Sequence, residues 1–129
     1  MIVDDDRDDR FFFIHAVRKI DPAFICLVAQ NGAEALKQLR DITQLPDYIF
    51  LDINMPVMGG KACLIELKED NRLKDIPVIM WSTSMNEKEI DELHTLGAAH
   101  YLTKPHDTKK LPADIKKALE IAETPIEHP

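Results

Sequence analysis

The chain has 129 residues, 45% hydrophobic and 30% charged, which fits one soluble domain with room for a real core. Its net charge of −7, with 16 basic residues spread thinly, argues against a nucleic-acid surface. No apolar run approaches the length of a membrane span, and a start that goes straight into Asp4-Asp5-Asp6, without a basic stretch and an apolar core, leads us to expect no secretory leader. Cys26 and Cys63 sit singly in apolar stretches and read as two buried, reduced thiols, as expected of a cytoplasmic protein.

In chain order, Met1-Ile2-Val3 is a short strand, and Asp8 to Ile20 is predicted as a helix. Phe11, Ile14, Val17 and Arg18 fall on related faces of that helix, and Asp8 or Asp9 is expected to cap it. Phe24 to Ala29 reads as a strand. Asn31-Gly32 punctuates the chain before a helix over Ala33 to Ile42, with Ala35, Leu36 and Leu39 inward. Tyr48 to Leu51 is a continuous apolar strand. After Gly59-Gly60 a helix runs from Lys61 to Asn71.

Pro77 opens the strand Val78 to Trp81. Asn86 is placed to cap a helix from Glu87 to Leu96, which carries acidic residues in its first turn and stops at Gly97. Ala99 to Leu102 is the fifth strand. The last helix is expected to begin near Lys110, because Pro112 is tolerated only in a first turn, and to run to about Glu123. Residues 1–123 form the predicted domain, and 124–129, with Pro125 and Pro129, a short tail.

Strands alternating with helices predict an α/β domain with a parallel sheet covered on both faces. In such open sheets the functional site lies beyond the carboxyl ends of the strands. Asp4, Asp5 and Asp6 follow the first strand, Asp52 the third, Ser82 and Thr83 the fourth, and Lys104-Pro105 the fifth. If these groups converge, Asp4, Asp5 and Asp52 repel one another. Two like charges about 4 Å apart cost about 4 kcal/mol at a surface-like dielectric of about 20. Either a carboxyl takes up a proton, or a hard divalent cation, Mg²⁺ or Mn²⁺, relieves the charge. Lys104 can pair with only part of it. The inventory is complete for phosphoryl transfer to a carboxylate: Asp52 as nucleophile, Asp4 and Asp5 on the metal, Ser82 and Lys104 on the phosphoryl oxygens. A register slip would hand the role of Asp4 to Asp6, and Thr83 rivals Ser82. The five histidines form no cluster in sequence.

These segments resemble the receiver domain of bacterial two-component response regulators. The resemblance is carried by Val3-Asp4-Asp5-Asp6, by Leu51-Asp52-Ile53-Asn54-Met55-Pro56-Val57-Met58-Gly59-Gly60, by Pro77 to Thr83, and by Tyr101-Leu102-Thr103-Lys104-Pro105. It covers essentially the whole chain. It implies a three-layer, doubly wound (βα)5 flavodoxin-like fold with strand order 2-1-3-4-5, the order the chemotaxis receiver itself exemplifies. It implies Asp52 as the phosphorylated residue and Asp4 and Asp5 as the acidic pair, with Asp5 the more direct metal ligand. The Asn54 backbone carbonyl completes the implied ligand set. Ser82 matches the switch hydroxyl, Tyr101 the switch aromatic, and Lys104 the phosphate-binding lysine; Pro105 matches a proline after a cis peptide. Asn54 and Ser84 are implied to influence acyl-phosphate lifetime. Three features depart from the family pattern: the short first strand, the bulk of Trp81, and Lys61-Ala62 after Gly60.

The implied donor is a sensor histidine kinase or a histidine phosphotransfer protein. The implied output is a downstream protein partner met by the α4-β5-α5 surface. No second domain is expected after residue 129, the alternative being a longer parent cut at Pro129, so output is expected through protein contact or phosphate relay, without nucleic acid or membrane. The chain is then no conventional enzyme and promotes only its own phosphorylation and dephosphorylation. Two rival readings are a phosphatase of the haloacid dehalogenase type with Asp4 as nucleophile, and a receiver-like scaffold that binds partners without phosphorylation.

Overall fold

The computed structural model describes residues 1–83 and 86–123. Its elements alternate throughout: β1 (Ile2–Val3), α1 (Arg7–Ile20), β2 (Val28–Ala29), α2 (Gly32–Asp41), β3 (Ile49–Asp52), α3 (Gly60–Glu69), β4 (Val78–Ser82), α4 (Glu87–Thr95), β5 (His100–Thr103) and α5 (Leu111–Glu123). The five strands form one parallel sheet in the order β2-β1-β3-β4-β5. This is the flavodoxin-like (βα)5 arrangement.

Strand alternation divides the core into two layers. Val3, Ile49, Leu51, Val78 and Met80 pack with Leu36 and Leu39 of α2, Leu64 and Leu67 of α3, and Leu93 of α4. Ile2, Phe50, Ile79 and Trp81 face the other way, against Phe13 and Val17 of α1 and Leu111 and Ile115 of α5. The central strands β3 and β4 are buried at every position, as expected where helices cover both faces.

Local chemistry sets the helix ends. The Asn86 side chain accepts the Glu89 N–H at the start of α4. Gly97 ends that helix at φ +108°, a conformation that L side chains rarely adopt. Pro112 sits in the first turn of α5, after a 3-10 turn over Thr108–Lys110. Gly60 is required by close approach, since a Cβ there would lie 2.3 Å from the Asp52 carbonyl oxygen.

Several expectations are corrected. Helix α1 is capped by Asp6, not Asp8 or Asp9; the Asp6 carboxylate accepts both of their N–H groups, at 2.8 and 3.1 Å. Its buried face is Phe13, Ala16 and Val17, whereas Phe11 is 64% exposed. Strand β2 is only Val28–Ala29. Pro22 and the hydrogen bonds that Asp21 accepts from Ala23 and Phe24 turn the preceding chain away from the sheet, leaving Ile25 exposed. Cys26 is half-buried rather than buried, and both cysteines are free. The Lys104–Pro105 peptide is trans, the ordinary form, where the resemblance implies cis.

Candidate functional site

The carboxyl ends of β1, β3, β4 and β5 meet at one pocket. Asp4 follows β1 and is 0% exposed; Asp52 ends β3 at 5%; Ser82 ends β4 at 2%. Asp5 is exposed beside them. Asp4, Asp5 and Asp52 each offer a carboxylate oxygen within 4.8 Å of the others.

Lys104, just after β5, enters from the side. Its ammonium lies 2.8 Å from Asp4 Oδ2, 2.8 Å from Asp9 Oδ2 and 3.3 Å from Asp52 Oδ2. An ammonium has three N–H donors, so these three carboxylates can occupy all of them. The Lys104 backbone N–H donates to the Ser82 carbonyl at 2.7 Å, which fixes where the lysine leaves the sheet.

Asp4 is held on both oxygens. Its Oδ1 accepts the Asp6 N–H at 2.9 Å. Its Oδ2 accepts the Trp81 indole N–H at 2.8 Å and faces Lys104. The Arg10 guanidinium donates to the Asp4 backbone carbonyl at 2.8 Å. A nucleophilic Asp4, as the phosphatase reading needs, would have to act from a carboxylate that three donors already hold in place. Asp52 is engaged differently: Oδ1 receives the Asn54 N–H at 3.3 Å and Oδ2 faces the Lys104 ammonium at 3.3 Å, both longer than the contacts onto Asp4.

The titration behaviour follows from this crowding. Burial, and then the neighbouring Asp4 charge, push the Asp52 carboxyl up from 3.8 to about 6, against the partial help of Lys104. Burial alone would lower the Lys104 ammonium, but the Asp4 and Asp9 carboxylates outweigh it and raise it. Three carboxylates, those of Asp4, Asp9 and Asp52, thus meet one ammonium, and the Asp5 carboxylate lies within 4.8 Å of those of Asp4 and Asp52. The surplus negative charge, borne on hard oxygen donors, fits a divalent cation.

A family model for the response regulator receiver domain matches residues 1–116. The chain belongs to that family. Among similar proteins, this receiver is 31% identical over 118 residues to the DNA-binding transcriptional regulator NtrC of Escherichia coli K12, covering 92% of this chain and 24% of NtrC. It is 26% identical over 121 residues to the sensor histidine kinase CheAY of Helicobacter pylori, covering 94% of this chain and 15% of CheAY. The receiver therefore spans about a quarter or less of these two curated relatives. Among solved structures, the phosphorylated cyanobacterial phytochrome response regulator RcpA superposes with a TM-score of 0.83 at 31% identity, covering 92% of this chain and 89% of that one.

The receiver fold brings together Asp4, Asp5, Asp52, Ser82 and Lys104. Thr83, the rival hydroxyl, is exposed. Asp6 is spent on capping α1. Asn54 is exposed next to Asp52, which its amide touches. Tyr101 is half-buried opposite Met80 on β4, packed against the α2-α3-α4 side of the core. Ser84 lies outside the described residues. Two residues escape sequence reading. Asp9 was available only as a cap, yet it pairs with Lys104. Trp81 registered as mere bulk, yet it bonds Asp4; the usable signal was that a buried indole N–H requires an acceptor.

Proposed function

We propose that this receiver is a phosphorylation switch in which Asp52 accepts a phosphoryl group from the phosphohistidine of a sensor histidine kinase or a histidine phosphotransfer protein. One Asp52 oxygen attacks phosphorus, the P–N bond breaks, and the imidazole nitrogen leaves with the electron pair and takes up a proton. An acyl phosphate results. The observation that carries this reading is the Asp52 carboxylate itself, clustered with Asp4 and Asp5 and met by the Asn54 N–H and the Lys104 ammonium at 3.3 Å each, longer than the 2.8–2.9 Å contacts onto Asp4.

Lys104 shifts one of its three N–H groups from a carboxylate to a phosphoryl oxygen, a charge-assisted bond, and Ser82 donates its hydroxyl to another. Asp5, Asp52 and the Asn54 carbonyl are the residues to hold Mg²⁺ or Mn²⁺, with Asp4 adding charge behind them. When bound, the cation offsets charge on the transferring oxygens. The phosphoryl group adds a charge of about −1.5 to −2 next to Ser82. Ser82 moves toward it, Tyr101 turns inward, and the α4-β5-α5 face changes its preference for a downstream protein partner. The similarity to RcpA, solved in its phosphorylated form, supports this chemistry.

The receiver unit is assigned to residues 1–123, and the tail 124–129 lies outside the described residues. No helix among the described residues is long and apolar enough to cross a membrane, in keeping with a proposed cytoplasmic location. Incubation with a small acyl-phosphate donor and Mg²⁺ is expected to give an acid-stable, hydroxylamine-sensitive label that Asp52→Asn abolishes. A label that survives Asp52→Asn overturns the assignment. A protein whose Trp81 fluorescence ignores Mg²⁺ and that takes no label is the scaffold instead.

A further inference from the structure

The indole of Trp81 joins the acidic pocket to the packed interior. Trp81 is 2% exposed and lies on β4 directly opposite Asp52 in the sheet register, one residue before Ser82. Its Nε1–H donates to Asp4 Oδ2 at 2.8 Å. Lys104 Nζ reaches the same carboxylate oxygen at 2.8 Å and stands 5.6 Å from the indole centroid, within cation–π range. The rings of Phe13 and Trp81 meet in a T-shaped arrangement at a centroid distance of 5.8 Å and an interplanar angle of 76°. A hydrogen bond onto a carboxylate is about twice as strong as one between neutral groups, and it is directional. A buried indole packed against Phe13 of α1 has little room to turn, so its directional N–H restrains the carboxylate it touches.

We infer that Trp81 is a positioning residue for the cation site: its N–H, held by aromatic packing, orients the buried Asp4 carboxylate so that Asp4 presents its charge to a divalent cation held by Asp5 and Asp52. This rests on the proposal that the pocket binds Mg²⁺ or Mn²⁺. The bond to Asp4 is the outer-shell contact that orients a charged group at a metal site. It explains why a residue this large stands immediately before Ser82: an aliphatic side chain there fills space but donates nothing. It also accounts for a fully buried Asp4, whose two oxygens have partners from β4, β5 and its own turn.

The test is Mg²⁺ titration by calorimetry, in the whole chain, of the wild type, Trp81→Phe, Asp4→Asn and the double variant. Trp81→Phe is expected to weaken Mg²⁺ binding about tenfold, the low end for loss of an outer-shell partner. In the Asp4→Asn background the same change is expected to have less than about a twofold effect, because the two residues act as one unit. An equal loss in both backgrounds makes Trp81 a packing residue only and overturns the inference; so does a Trp81→Phe protein that binds like wild type. If Trp81→Phe does not fold, the wild type still decides. The chain has 1 Trp, so the indole N–H gives one resonance. That resonance is expected to shift saturably with Mg²⁺ in the wild type and to stay put in Asp4→Asn; an indole unmoved in the wild type overturns the inference. A wild type that binds no Mg²⁺ sinks the cation reading itself, which is a separate result from binding that ignores Trp81.

Discussion

Lys104 Nζ lies 2.8 Å from Asp9 Oδ2, a contact that ties the end of β5 to the first turn of α1 across 95 positions of sequence. Asp9 thereby claims one of the three N–H groups of the lysine that the phosphoryl group needs. Its carboxylate is only partly shielded, with 32% of the side chain exposed, so the pair is worth under about 1 kcal/mol. Asp9→Asn is expected to cost that much stability or less. It is also expected to speed labelling from a small acyl-phosphate donor by about two- to fivefold, the kinetic equivalent of about 0.5–1 kcal/mol. Labelling time courses on the two proteins check this; an unchanged or slower rate for Asp9→Asn means that Asp9 does not compete for Lys104.

The raised Asp52 carboxyl makes a prediction about stability and pH. Its value in the folded protein is about 6 against an ordinary 3.8, so between those values the folded state holds more protons than the unfolded state. The stability it contributes is complete below about pH 4 and is lost as pH rises through 6. At about 1.4 kcal/mol per pH unit, ionised Asp52 costs the metal-free fold up to about 3 kcal/mol near pH 7.5. Asp52→Asn is expected to be more stable than the wild type there, in chelator, with the gap closing as pH falls to 4. Urea unfolding of both proteins across that range measures it, and a gap independent of pH refutes it. Mg²⁺ is expected to close the gap from the other side by stabilising the wild type at pH 7.5.

The three consecutive aspartates divide their labour, and the division can be read out. Asp6 accepts the Asp8 and Asp9 N–H groups at the start of α1, while Asp5 is the exposed member of the carboxylate cluster. Asp6→Ala is expected to cost about 1 kcal/mol of stability, as loss of a helix cap does, and to leave Mg²⁺ affinity within about twofold. Asp5→Ala is expected to do the reverse, with stability kept and affinity down by at least about tenfold. Paired thermal melts and metal titrations separate the two; a metal defect in Asp6→Ala alone would move the ligand role to Asp6.

Val57 carries backbone strain in the loop between β3 and α3. It has φ +73°, a conformation costly for a β-branched residue, and the residue is 85% exposed, so little packing offsets the cost. Val57→Asn is expected to raise stability by about 1 kcal/mol with an unchanged denaturant slope, because asparagine tolerates the left-handed region. A destabilised Val57→Asn protein shows that the loop relaxes or that Val57 has contacts which matter.

Much of this protein was legible in its sequence, because the signals involved are local. Continuous apolar runs at Tyr48–Leu51 and Val78–Trp81 mark the strands β3 and β4, buried on both faces, although β3 begins at Ile49, and Asn86 and Gly97 bound α4 through bonds and dihedrals within a few residues. Carboxylates and a lysine directly after strands must gather at one end of a parallel sheet, so the composition of the pocket follows from order alone. What remained for the tertiary structure was every choice between equal local candidates. Phe11, Phe12 and Phe13 are chemically alike, and only the seat of α1 on Phe50 and Trp81 decides that Phe13 goes inward. Phe24 and Ile25 are as apolar as Val28, but the turn at Asp21 keeps them off the sheet edge. The pairings Asp9–Lys104 and Asp4–Trp81 join residues 95 and 77 positions apart, and no periodicity encodes which buried donor meets which acid. Packing brings those groups within reach, and the need to satisfy each buried charge selects among them.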